Sequence, residues 1–433
     1  MVSTLVAVAV LQAQPAVLST RFDLGERLKT LDIAWLANTD RARRAAAVTP
    51  IRNAVTQFFA AQWGEASRSL DQARAVLEGD TVLPEDAVSL RFVPAVVEPG
   101  KSANLRISWA YAPREGRAVR VAVGGREVTV APGRTATLEV NPLRADPDLA
   151  LSPESGTSVG VAVGSRTRLV ALSIVKSPRA RVAALVQSQD PIARAMGEQL
   201  QTALDRPEAP EQDIPFLQWL FMAEQLSEGR QKISDLEDFP HIRHGNTVMR
   251  AHIPRAFRGD PRQAPEATVV LAFHGAGGSE NLFFEGYGRG LAVAEARRRG
   301  WVFIAPRLTD GAARDALDWV TTVRRLRVRQ VFVMGHSLGG AYAVNTFAMR
   351  TRPAAAALMA PAVMRISREP AVPVYLAVGK HEIPRLLASS RAIGRELADR
   401  DDFEYEEFDA SEHLMIVADA IPNAFRFFDR YAK

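Results

Sequence analysis

The stretch Gln330-Val-Phe-Val-Met-Gly335-His-Ser337-Leu-Gly339-Gly340 carries a β-forming, apolar run straight into a serine flanked by glycines, and a helical pattern from Ala341 to Met349 follows at once. A strand that turns abruptly into a helix holds the residue at the turn in strained backbone, so the residues two before and two after it must be small. Gly335 and Gly339 meet that demand. The Ser337 hydroxyl then stands at a helix N-terminus, where partial positive charge favours developing negative charge. The pattern marks Ser337 as a candidate nucleophile, against the plainer reading of an ordinary glycine-rich turn.

Such a nucleophile needs an oxyanion cradle, a base and an acid. Upstream, Phe273-His274-Gly275-Ala276-Gly277-Gly278 is a second glycine-rich turn behind a strong strand pattern. Two amides must aim at one oxygen, one just after the nucleophile and one from a loop of this kind. Leu338 and Ala276 occupy those places. A phosphate-binding loop is the rival reading, but the lysine and glycine spacing of its fingerprints are missing. The histidines are His241, His244, His252, His274, His336, His381 and His413, and only the last two follow Ser337. Chain order in this type of site runs nucleophile, acid, histidine. His413, late in the chain behind the turn Asp409-Ala-Ser-Glu412, is therefore the candidate base. Glu382 follows Gly379 at the end of the strand pattern Val372 to Val378 and is the candidate orienting acid, with Asp409 as the alternative. The aromatics Phe283, Phe284 and Tyr287 form either a substrate wall or packing against the next helix.

Taken together, His274-Gly-Ala-Gly-Gly278, Gly335-His-Ser-Leu-Gly-Gly340 and Gly379-Lys-His-Glu382 ahead of a final histidine resemble the α/β-hydrolase superfamily, in particular its compact esterase, dienelactone-hydrolase-like and serine-peptidase-like members. The resemblance covers about Ile242 to Lys433. It implies an eight-stranded, mostly parallel, doubly wound sheet and a triad of Ser337, His413 and Glu382 that requires no metal or organic cofactor. Glutamate stands where aspartate is commoner in the family. It further implies hydrolysis of a carboxylic ester, small or polymer-linked, with a serine peptidase or a non-catalytic binding protein as alternatives. Where many members insert a lid, only Ala362 to Ala371 is available here, too short for a helical cap. Any cover must come from the residues ahead of this region.

Those residues read as three parts. Helical spacing over 18–80 (Leu28, Leu31, Trp35, then Val55, Phe58, Phe59) gives way to period-two alternation over 85–176, about seven short strands of a small Ig-like β-sandwich with a Gly124-Gly125 hairpin turn. A helical linker broken by Pro207, Pro210 and Pro215 fills 177–236, and the α/β region occupies 240–433. Residues 1–14 resemble an export signal without its positive start, which gives an expectation of export. With 433 residues the chain is too long for one core. The absence of cysteine excludes thiol catalysis, disulfides and thiolate metal sites. The net charge of +5 comes from 48 arginines against six lysines, and no aromatic stacking pattern accompanies the basic runs. These are solvated helix faces, and neither a nucleic-acid partner nor a membrane span is expected.

Overall fold

The computed structural model describes residues 20–141, 158–206, 214–260, 262–366 and 372–433; the candidate export segment, Pro207 and Pro210 lie outside them. Three helices come first: Arg21–Ala37 (α1), Arg41–Phe59 (α2) and Trp63–Glu78 (α3). Thr20 and Asp23 cap α1 reciprocally, Asp40 caps α2, and Gly79 ends α3 in the left-handed region. Their apolar stripes bury Leu31, Trp35, Ile51 and Leu77 in a small core.

The strands Val88–Phe92 (β1), Val96–Val97 (β2), Ala103–Trp109 (β3), Val119–Val123 (β4), Arg126–Val130 (β5), Ala136–Val140 (β6), Ser158–Val163 (β7), Arg166–Ala171 (β8) and Ser173–Ile174 (β9) form sheets ordered β1-β3-β6, β5-β4-β7-β8 and β2-β9. Sequence alternation becomes alternate burial, with Val119, Val121 and Val123 inward on β4 while Arg120 points out. Phe92, Ile107, Trp109 and Val161 meet in a core that this sandwich keeps to itself.

Helices Pro178–Val186 (α4), Pro191–Asp205 (α5) and Phe216–Ser227 (α6) follow. Expected as a linker, they are part of a core instead: Leu185, Met196, Leu200, Trp219 and Leu220 pack with Phe239, Val269 and Trp319 of the C-terminal region. Of the three prolines expected to break the helical pattern, Pro215 stands at the N-cap of α6, where a missing amide costs nothing, and Pro207 and Pro210 lie outside the described residues.

The last region alternates strand and helix: Asp238–His244 (β10), Thr247–His252 (β11), Ala267–Phe273 (β12), Leu282–Glu285 (α7), Tyr287–Arg298 (α8), Val302–Pro306 (β13), Ala312–Asp318 (α9), Val328–His336 (β14), Leu338–Asn345 (α10), Ala355–Met359 (β15), Val374–Gly379 (β16), Pro384–Glu396 (α11), Phe403–Phe408 (β17) and Ile416–Asp429 (α12). Its eight strands form one sheet ordered β10-β11-β13-β12-β14-β15-β16-β17, antiparallel at β10 and β11 and parallel from β13 on. On β12, Val269 and Leu271 face the core shared with α4 to α6, while Val270 and Ala272 face the core under α8 and α12. Burial on both faces is what makes these strands near-continuous apolar runs. Among the described residues no helix is long and apolar enough to cross a membrane.

Candidate active site

Ser337 lies where β14 turns into α10, at φ 52° and ψ −119°. A Cβ at position 335 would stand 2.2 Å from the Gly339 carbonyl oxygen, and one at 339 would stand 2.0 Å from that of Phe273. The turn is therefore closed to any larger residue at both glycines, and it abuts the end of β12, where the loop His274 to Gly278 begins. Among the described residues the amides of Leu338 and Ala276 donate to no protein acceptor. Two unengaged donors on adjoining loops are what an oxyanion would need.

The loops after β16 and β17 bring Glu382 to His413. The Glu382 carboxylate, 2% exposed, accepts from His413 Nδ1 at 2.8 Å and from the Ile383 amide at 2.6 Å. Burial by itself would lower the pKa of His413; the hydrogen bond and charge of Glu382, with Glu412 behind it, raise it above the ordinary imidazole value. Glu412 is fully buried and accepts from the Leu414 and Met415 amides, yet burial and the nearby Glu382 charge still push its pKa up to about 7. Among the described residues no hydrogen bond joins the Ser337 side chain to His413; the ring of His336, the residue before the serine, is 4.7 Å from that of His413. Asp409, the alternative acid, is on the surface with its carboxylate 2.6 Å from Lys380 Nζ, whereas the carboxylate bonded to His413 is that of Glu382. His381 is half-buried and is not among the residues that line the cavity beside His413.

His336 ties these parts together, and sequence reasoning passed it over. Its Nε2–H donates to the His413 carbonyl at 2.7 Å and its Nδ1 accepts from the Tyr287 hydroxyl at 2.7 Å. That hydroxyl in turn accepts from the Gly275 amide at 3.1 Å. Burial keeps His336 neutral, which suits one ring nitrogen donating and the other accepting. One phenol thereby holds the glycine loop, the residue before Ser337 and the backbone of His413 in register. Tyr287 itself opens a left-handed turn, with φ of 45°, 75°, 58° and 76° from Tyr287 to Gly290. Gly288 and Gly290 make that turn affordable in conformational terms.

Asp32 of α1 reaches this turn, accepting from the Gly288 amide at 3.3 Å. Burial raises its pKa to about 7 despite the amides of Gly288 and Arg289 and the charge of Arg289. Nearby, Trp35 Nε1 donates to Asp419 of α12 at 3.0 Å and Arg44 pairs with the same carboxylate at 3.3 Å. Met415 shares the core of the three N-terminal helices. The helices are thus seated on the C-terminal region and roof a cavity of about 530 Å3 whose floor includes Gly275 to Ser279, His336 and His413. Cover does come from ahead of the α/β region. Of the aromatic trio, Tyr287 borders this cavity through its place in the turn. Phe283 and Phe284 are in packing rather than in a substrate wall: Phe283 is wholly buried against Tyr287 and Phe303, and Phe284 packs on Phe303 beneath the Arg250 guanidinium.

Residues 269–431 match the model of a family described as the alpha/beta hydrolase family. The C-terminal region has the α/β-hydrolase fold. The hydrolase region is similar to the fluorophosphonate-binding serine hydrolase F of Staphylococcus aureus (13% identity, 44% of this chain and 96% of that one, TM-score 0.36) and to the S-formylglutathione hydrolase of the same organism (12%, 43% and 97%, 0.36). It is also similar to an esterase of Pyrococcus furiosus (10% identity, 45% and 91%, TM-score 0.35). No curated protein matches the sequence.

Proposed function

We propose that this hydrolase is a serine esterase that transfers the acyl group of a carboxylic ester to water through Ser337. The observation that carries the reading is the Glu382–His413 pair at 2.8 Å, tied through the His413 carbonyl to His336, the residue before a strained, glycine-hemmed serine. Glu382 fixes the tautomer of His413 with Nδ1 protonated, which leaves Nε2 free as the base. The Ser337 hydroxyl, rotating between staggered wells, comes into contact with Nε2, loses its proton and attacks the ester carbonyl. The amides of Leu338 and Ala276 take the oxyanion, and His413 returns its proton to the departing alkoxide. Water then repeats the cycle on the acyl-enzyme.

The test is labelling with a fluorophosphonate probe and hydrolysis of p-nitrophenyl acetate by wild type and Ser337→Ala. Wild type is expected to label and turn over, with the alanine variant down by on the order of 10³-fold or more. A wild type inert to both reagents sinks the reading, and turnover of aminoacyl-nitroanilides in preference to esters moves it to a peptidase. Glu382→Gln should lower kcat by about 10³ to 10⁴-fold, as expected for loss of the tautomer-fixing acid. Asp409→Asn should leave kcat within about twofold, since only an exposed ion pair is removed. A larger loss from Asp409→Asn would reassign the acid.

A further inference from the structure

The cavity over His413 is larger and more apolar than a short ester requires, and its walls do not come from the hydrolase region alone. On one side Leu24 and Leu28 of α1, Val55 and Phe58 of α2, and Leu70 of α3 line it; on the other lies the glycine loop Gly275 to Gly278. Phe58 is so close to this loop that a Cβ at Gly277 would meet its ring at 2.7 Å. The apolar wall therefore begins directly over the loop whose amide is assigned to the oxyanion. A carbonyl seated there has its carbon chain beside Phe58. Of the charged side chains that line it, Lys29 is engaged with Glu26 at 2.9 Å, Arg307 with Glu280 at 2.8 Å and Glu285 with Arg250 at 2.5 Å, while Arg206, at the C-terminal end of α5, is exposed to solvent. Phe59, 59% exposed, stands at the mouth. A volume of about 530 Å3 falls in the range of roughly 300–1,000 Å3 that encloses a whole drug-sized ligand.

We infer that the three N-terminal helices form the acyl-binding channel of the enzyme, and that its substrates are esters of medium-length, unbranched carboxylic acids whose chain runs between α1 and α2. This rests on the esterase reading above and names the substrate class for the same site. Apolar transfer makes each added methylene worth up to about fourfold in binding, so a chain that fills the channel gains steadily over acetyl until the space is used up. Leu28, half-buried and lining the cavity, is where a larger ring should shorten the space and end the gain sooner.

The experiment uses the full chain and a p-nitrophenyl series from acetate to decanoate below micellar concentrations, with Leu28→Trp and Phe58→Ala beside wild type. Fluorophosphonate labelling and thermal melting report whether each variant is folded with a competent serine. For wild type, kcat/KM should rise at least about 30-fold from acetate to octanoate. Leu28→Trp should reduce that ratio at least tenfold, chiefly through KM of the long esters, and Phe58→Ala should reduce it by a smaller factor. A flat series from an active wild type overturns the inference. So does a labelled Leu28→Trp protein with the wild-type ratio, or a length preference that follows the alcohol of alkyl acetates instead. Titration of sodium decanoate into the Ser337→Ala protein separates the two readings. Decanoate binding that Leu28→Trp weakens at least tenfold, when the wild type hydrolyses no ester, leaves the channel standing and removes the esterase; no decanoate binding alongside ester turnover by the wild type removes the channel and keeps the esterase.

Discussion

Two modules precede the hydrolase region, and they relate to it in opposite ways. The helical bundle over 21–78 shares its core with Met415, anchors Trp35 and Arg44 on Asp419, and walls the cavity over His413. The sandwich over 88–174 has its main core to itself, meets the bundle through polar contacts such as Tyr111 with Asp71 and Ser89 with Asp23, and supplies none of the described residues around that cavity. A module that shares a core with the α/β region is bound to the fate of the site, whereas one with a separate core can be damaged on its own. Position in the chain is a poor guide to this distinction: the module farther away in sequence is the one nearer the site.

Paired tryptophans offer the strongest way to break the comparison. Trp35 and Trp109 are both almost wholly buried, one in each module. Truncating either to alanine should cost about 3–5 kcal/mol within its own module. Ester turnover at a temperature where both variants remain folded should collapse for Trp35→Ala and persist for Trp109→Ala. Equal losses would show that the sandwich matters to the site as much as the bundle does.

A smaller effect should appear with pH. Asp32 keeps its proton to about pH 7 in the folded chain, against an ordinary value of 3.8. Between about pH 4 and 7 the folded state therefore binds a proton that the unfolded state has released, and stability falls as pH rises through that window before levelling off. Glu412 acts in the same direction with its own pKa near 7. Asp32→Asn should gain on wild type across the window, by at most about 4 kcal/mol from a shift of roughly three units. Melting curves at several pH values check this, and a constant offset between the two proteins would contradict it. The smallest effect belongs to Tyr287→Phe, which removes the hydroxyl joining Gly275 to His336. It should lower kcat by about tenfold, in line with roughly 1–2 kcal/mol for a buried hydrogen bond left half-made.

Much of the hydrolase region was legible because local pattern and global fold agree there. Strands buried on both faces, such as β12 and β14, announce themselves as unbroken apolar runs, and Ser337 is bracketed by the glycines its turn requires. The antiparallel strands β10 and β11 were not separately read, because Phe239-Pro-His-Ile-Arg-His carries neither clean alternation nor an apolar run. Glu382 was readable from its distance past a strand-ending glycine, whereas Glu412, equally buried, was hidden inside a turn that reads as polar. The aromatic trio was split by burial: nothing in Phe283-Phe284-Glu-Gly-Tyr287 distinguishes a ring facing Phe303 from a phenol facing His336. The tyrosine-glycine-arginine-glycine run was the one available signal, since alternate glycines permit a left-handed turn. The seating of the bundle left no trace in sequence, because Asp32 and Gly288 are 256 positions apart.

That separation also has a kinetic side. Trp35 and Asp419 are 384 positions apart, so the first of the pair leaves the ribosome long before the second exists. Contacts of such range form late, after local structure has already condensed. The bundle and the sandwich can therefore take shape while the hydrolase strands are still being made, but the roof over His413 can close only when α12 has been synthesised and docked. Completion of the cavity therefore waits on α12, however early the bundle has folded.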